Sequence, residues 1–182
     1  MKIKTQHGVG LMEVLVALIL LSIGVLGFSI LQVRAMDASL DASKRIQAMN
    51  LARDLSERMR ANKSGLSKSI EIKENDVDKL VDAYSNAMSG KYYISSHTPN
   101  CIGSTKCSSK DFAQEDANQI LYRAYTSGMK IALNDCPGNM SLNRFCVYVA
   151  WGETLPKDGG TNACTNSGSL TSNSKCIVLE AY

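Results

Sequence analysis

Residues 14–31, "VLVALILLSIGVLGFSIL", carry no charge over 18 consecutive positions. That is just enough for a helix to cross a bilayer, which takes about 20 predominantly apolar residues at roughly 1.5 Å each. Lys2 and Lys4 precede the run, so the positive-inside rule puts the N-terminus in the cytoplasm and the chain beyond Arg34 outside. The rest of the 182-residue chain is polar, and all six cysteines (Cys101, Cys107, Cys136, Cys146, Cys164 and Cys176) lie in it. An even set confined to the polar half reads as a disulfide framework in an oxidising compartment, which agrees with that topology.

Two features just before the run need a reason. Glu13 stands at its entrance, and Gly8 and Gly10 lead straight into it. A secretory signal peptide cut after "VRA", ending at Ala35, fits the basic and apolar regions. A plain membrane anchor fits them as well. Neither accounts for Glu13, because a carboxylate at the centre of a membrane helix costs about 2.5–3.5 kcal/mol, less near the interface, and is normally kept for a partner. Cleavage after Gly8 would supply one. The new amine of Val9 would sit beside an apolar helix with Glu13 as fifth residue, and the two charges could neutralise each other, within one chain or between copies. Cleavage after Gly10 would leave Glu13 at the third position, which fits less well.

A short basic leader ending in Gly, an apolar helix starting at once and Glu at its fifth position resemble the class III signal of type IV prepilins. The resemblance implies cleavage by a prepilin peptidase between Gly8 and Val9, N-methylation of Val9, and Glu13 as the assembly carboxylate. Further on, "AMNLARDLSERMRAN" (48–62) and "NCIGSTKCSSKDFAQED" (100–116) resemble the minor pilins of the PilV family, type IV pilus modification proteins. In the second stretch a close cysteine pair precedes Ala113 and Asp116, with Ile120 where that family often has an aromatic. Major pilins often carry a helix-kinking proline in the apolar segment; this run has none, and Gly24 and Gly27 are its weak points.

Beyond Arg34 the helical pattern continues through Met36, Leu40, Ala48, Leu51, Ala52, Leu55 and Met59, and "NKSG" (62–65) stops it. The spacing predicts a helix over "ENDVDKLVDAYSNAM" (74–88), with Val77, Leu80, Val81, Tyr84 and Met88 on one face, and a brief strand in "KYYIS" (91–95). A second helix is predicted from Ser108 or Ser109 to Gly128. "RFCVYVAW" (144–151) alternates Phe145, Val147, Val149 and Trp151 against Cys146, Tyr148 and Ala150. "KCIVLEAY" alternates likewise, which predicts two antiparallel strands joined by a long polar loop. The expected disulfides are local: Cys101–Cys107, Cys136–Cys146 and Cys164–Cys176.

The resulting expectation is an α+β, type IV pilin-like fold. Its parts are a leader (1–8), a transmembrane assembly helix (9–33), an amphipathic continuation (34–62) and a disulfide-rich head (63–182). The implied function is a minor pilin that primes pilus assembly or caps the tip. Its implied partners are the prepilin peptidase, other minor pilins, the major pilin and the inner membrane, with the head periplasmic and later at the cell surface. A pseudopilin of type II secretion or DNA uptake, or a tip adhesin binding through residues 152–175, is the alternative. No catalytic residue, cofactor or metal is expected. His97, Cys101 and Cys107 lack zinc-knuckle spacing, "GGTNACTNSGS" lacks the Lys-Ser/Thr of a phosphate loop, and no Cys-x-x-Cys is present. Asp111, Glu115 and Asp116 read as a solvated acidic face. A net charge of +3 without clustering is too small to suggest a nucleic-acid binder.

Overall fold

In the computed structural model, which describes residues 10–67, 70–74, 77–103, 106–137 and 144–181, the charge-free run lies within one helix, α1 (Leu11–Ala61). The chain divides into two compact units, one ending at Ser43 and one beginning at Lys44. In the first, every described residue from Gly10 to Leu40 is exposed, including Met36 and Leu40 of the expected stripe. In the second, the same helix buries Ala48, Leu51, Ala52, Leu55 and Met59, the residues spaced three and four apart that put one face toward a core.

That core is built on three elements besides α1. Helix α2 (Ala83–Met88) contributes Tyr84 and Met88; helix α3 (Ser109–Thr126) contributes Ala113, Ala117, Ile120, Leu121 and Ala124. The third is an antiparallel sheet of β3 (Met129–Asp135), β4 (Phe145–Trp151) and β8 (Cys176–Ala181), in the order β3-β4-β8. Phe145, Val147, Val149 and Trp151 of the central strand face this core. Arg45 places its guanidinium over the Trp151 ring, 5.7 Å from the centroid, closing the core's edge with a cation–π contact.

The opposite face of β4 is covered too. Cys146, Tyr148 and Ala150 form a second buried cluster with Cys164 and Cys176. The polar loop expected after Trp151 folds into β5 (Leu155–Asp158), β6 (Ala163–Asn166) and β7 (Ser169–Leu170) and lies over that face. Three disulfides, Cys101–Cys107, Cys136–Cys146 and Cys164–Cys176, close the head. The architecture is α+β, with a long N-terminal helix and small, mainly antiparallel sheets.

Three local expectations need correction. Residues 77–81 are not helical: they form β2 (Val77–Val81), paired antiparallel with β1 (Ile70–Glu74), Ile70 opposite Val81. Asp82 decides this. Its carboxylate accepts from Ser85 N (2.9 Å), which caps α2 and starts the helix only at Ala83. The β-branched Val77 and Val81 suit the strand that precedes it. "KYYIS" forms no ladder; Tyr92 O takes one bond from Ile131 N (2.8 Å), and Ile94 N donates to Leu121 O (3.4 Å). Strand β3 was not expected at all. Its "MKIALND" mixes apolar residues without clean alternation because Ala132, on the second face, is buried as well.

Candidate assembly surface and its anchor in the head

The chemistry foreseen at Gly8 and Val9 lies outside the described residues. Glu13 lies in the first turn of α1, exposed, where the unpaired N–H groups of a helix start favour a carboxylate. Its own N–H donates to Gly10 O at 2.8 Å. From there the helix contains an 18-residue window of mean hydropathy 2.8, none of it buried within the chain. Its only hydroxyls are satisfied internally: Ser22 donates to Leu18 O (2.7 Å) and Ser29 to Val25 O (2.9 Å). No polar group of that stretch therefore needs water, as residence in lipid or a dry helical bundle requires. Gly24 and Gly27 have open space where a Cβ would stand, so a neighbouring helix could approach the backbone there.

Such a surface is useful only if the head is fixed to the same helix, and the anchor is polar as well as apolar. Arg58 of α1 is its centre. Its Nε bonds Asp54 (2.8 Å) one turn back, and its Nη1 reaches Asp116 (2.7 Å) and Gln119 (3.0 Å) on α3. Tyr84 of α2, fully buried, donates to Asp116 Oδ2 (2.9 Å) and to Arg58 O (3.2 Å). Burial and the negative charge of Asp116 push the Tyr84 hydroxyl well above the ordinary phenol range, so it stays a donor at every physiological pH. Arg123 adds an ion pair to Asp54. Three helices thus meet at one charged network within the stretch 54–123.

The end of α1 is joined to α3 a second time. Asn62 donates to Ser109 O (2.7 Å), and a Cβ on Gly65 would stand 2.8 Å from Asn62 Nδ2 and 3.1 Å from the Ala113 Cβ. A side chain at 65 would therefore push on the Asn62 amide and crowd Ala113.

The acidic residues on α3 are not one solvated face, which corrects the sequence reading. Asp111 is exposed and forms a capping box with Ser108. Asp116 serves Arg58 and Tyr84. Glu115 is buried at 6% exposure, accepting from Gln119 (2.8 Å) and the Asn100 amide (3.2 Å) and lying 3.0 Å from His97 Nε2. It fastens the segment carrying the Cys101–Cys107 bridge to α3. His97 is therefore a partner of Glu115, and both cysteines are in a disulfide. Among the described residues no group of His, Cys, Asp and Glu is arranged for a metal. The signal for this network was in the sequence as the i, i+4 pair Asp54–Arg58, but its third partner 58 residues away was not.

Burial disfavours the charged form of Glu115, but its hydrogen bonds from Gln119, His97 and Asn100 outweigh that and hold its pKa below the usual 4.5. The unfolded chain then binds the proton more tightly than the folded one. The stabilisation is complete above the ordinary carboxylate range and is lost as the pH falls through the lower folded value. Glu115→Gln is expected to cost about 1–3 kcal/mol at neutral pH through its weakened hydrogen bonds. Below the ordinary range its stability deficit against the unaltered chain should shrink, as thermal melts at stepped pH would show. A deficit unchanged down to strongly acid pH would contradict this account.

Residues 30–118 match the model of the Tt1218-like family, described as type IV pilin Tt1218. The matched stretch runs from the apolar part of α1 through Asp54, Arg58, Tyr84 and Glu115 to the middle of α3. No curated protein and no solved structure matches the chain.

Proposed function

We propose that this chain is a minor pilin, a structural subunit rather than an enzyme. It would be held in the inner membrane by α1 and assembled with other pilins to prime or cap a type IV pilus. One observation carries the reading. A single helix presents a membrane-length surface with no buried residue, then becomes the buried spine of a disulfide-bonded α+β head, and the pilin match spans that transition. A removable signal peptide ending at Ala35 would discard the apolar part of α1. The proposal includes cleavage between Gly8 and Val9, methylation of Val9, and Glu13 as the group that neutralises the new amine.

The test is intact-mass and N-terminal peptide analysis of the protein from its native cells, with blots of membrane and sheared-pilus fractions. The expected result is a chain beginning at N-methylated Val9 and present in both fractions. A mature chain beginning after Ala35, or an intact Met1, would overturn the proposal. Association with secretion machinery instead of pili would favour a pseudopilin.

A further inference from the structure

The main sheet ends on one side at β3, and its pairing fixes which backbone groups leave the sheet there. Cys136 N donates to Arg144 O across the β3–β4 junction (2.9 Å), whereas Ile131 N donates away from β4, to Tyr92 O (2.8 Å). In a strand these directions alternate, so the even-numbered residues of β3 bond β4. Leu133 and Asp135 therefore direct their N–H and C=O groups outward, on the same side as Ile131. Tyr92 takes the neighbouring position at Ile131 alone, because Lys91 N turns back to Met88 O (3.1 Å). Among the described residues no strand pairs with β3 on that side.

Beyond Tyr92 a cleft of about 470 Å³ opens along this edge, between β3, the β1–β2 hairpin and α2. Its walls include Leu133 and Phe145 from the sheet, Met88 from α2, and Leu80 from the hairpin, which is 50% exposed. Asp82 and Asp135 add carboxylates to the lining. Among the described residues of the lining the cation is Lys91, which donates to Ala87 O (3.3 Å).

We infer that this cleft receives an extended segment of another polypeptide chain, added as a fourth strand against β3. Outward main-chain donors and acceptors beside the exposed Leu80 call for a strand, because a strand alone satisfies both along one line. The residue of the incoming segment that faces the half-exposed Leu80 is apolar. The exposed carboxylate of Asp135 favours a basic residue opposite it. On the function proposed above, the donor is a neighbouring pilus subunit; only its identity rests on that reading.

The experiment places the photo-crosslinking residue p-benzoylphenylalanine at Leu80 of the full chain in its native cells. Three backgrounds are compared: unaltered, Asp135→Ala and Asp135→Pro. Asp135→Ala keeps the outward N–H; Asp135→Pro removes it without breaking a bond to β4, at a position where an edge strand tolerates proline. The expected adduct maps to an extended segment of a second chain, persists in Asp135→Ala and falls at least tenfold in Asp135→Pro. Absence of an adduct, adducts only within the chain itself, equal yield in Asp135→Pro, or loss in Asp135→Ala would each overturn strand addition. If Asp135→Pro fails to accumulate, amide exchange decides: Leu133 and Asp135 should be protected in the crosslinked product and open in the free chain, and no difference overturns the inference. A captured strand from outside the pilus would sink the pilin reading and leave strand addition standing.

Discussion

Glu13→Ala is expected to leave processing intact and to remove the protein from pili. The membrane fraction should hold near-normal amounts of a chain starting at Val9, while recovery in sheared pili falls at least tenfold. Glu13 is exposed in the first turn of α1, four residues from the proposed new terminus, and nothing among the described residues covers it. In a membrane the Val9 ammonium can stay at the aqueous interface. In a packed bundle of apolar helices it cannot, and a buried charge stripped of its partner costs about 3–5 kcal/mol. That exceeds a hundredfold in an equilibrium constant, so a tenfold loss is a conservative reading. Glu13→Asp, which keeps the charge on a shorter arm, should recover part of the loss, and Glu13→Gln little of it. Normal recovery of Glu13→Ala in sheared pili would end the proposed role of this carboxylate.

What the sequence made legible was whatever depended on neighbours along the chain. The 18-residue charge-free run, the three-and-four spacing from Ala48 to Met59, the Ser108 cap and the two-fold alternation around Cys146 are local patterns. Each reappears in α1, α3 and β4, and the apolar faces of α1 beyond Ala48 and of β4 are the expected ones. Failures came where a distant partner decided. Residues 77–81 share a helix-like spacing of apolar positions, but pairing with Ile70–Glu74 and the Asp82 cap override it. Glu115 looked solvated because its partners, His97 and Asn100, approach from 18 and 15 residues back across a loop. The sheet at 155–170 was hidden because its strands are two to four residues long and rich in turn formers. The candidate site divides the same way. Glu13 stood out by being costly where it is, whereas the β3 edge has no signature, since it is made of backbone.

The second large effect concerns the lobe that covers β4, and here burial rather than loop length sets the magnitude. In the chain-entropy account, removing Cys164–Cys176, with a sequence separation of 12, costs about 3 kcal/mol. Removing Cys101–Cys107, with a separation of 6, costs about 0.5 kcal/mol less on the same account. The two bridges differ far more in surroundings. Cys164 and Cys176 are 0% and 2% exposed and pack with Cys146, Tyr148 and Ala150, while Cys101 and Cys107 are only half-buried. Serines at 164 and 176 would place two hydroxyls in that cluster, adding about 1–3 kcal/mol for each left without a partner. The double variant Cys164→Ser/Cys176→Ser should therefore melt at least about 10 °C below the unaltered chain in detergent, with protease sites opening within 155–171. Cys101→Ser/Cys107→Ser should fall less, because Glu115 still holds its segment through His97 and Asn100. Equal losses in the two pairs would mean that loop closure alone is at work, and that β5–β7 do not form a second core with β4.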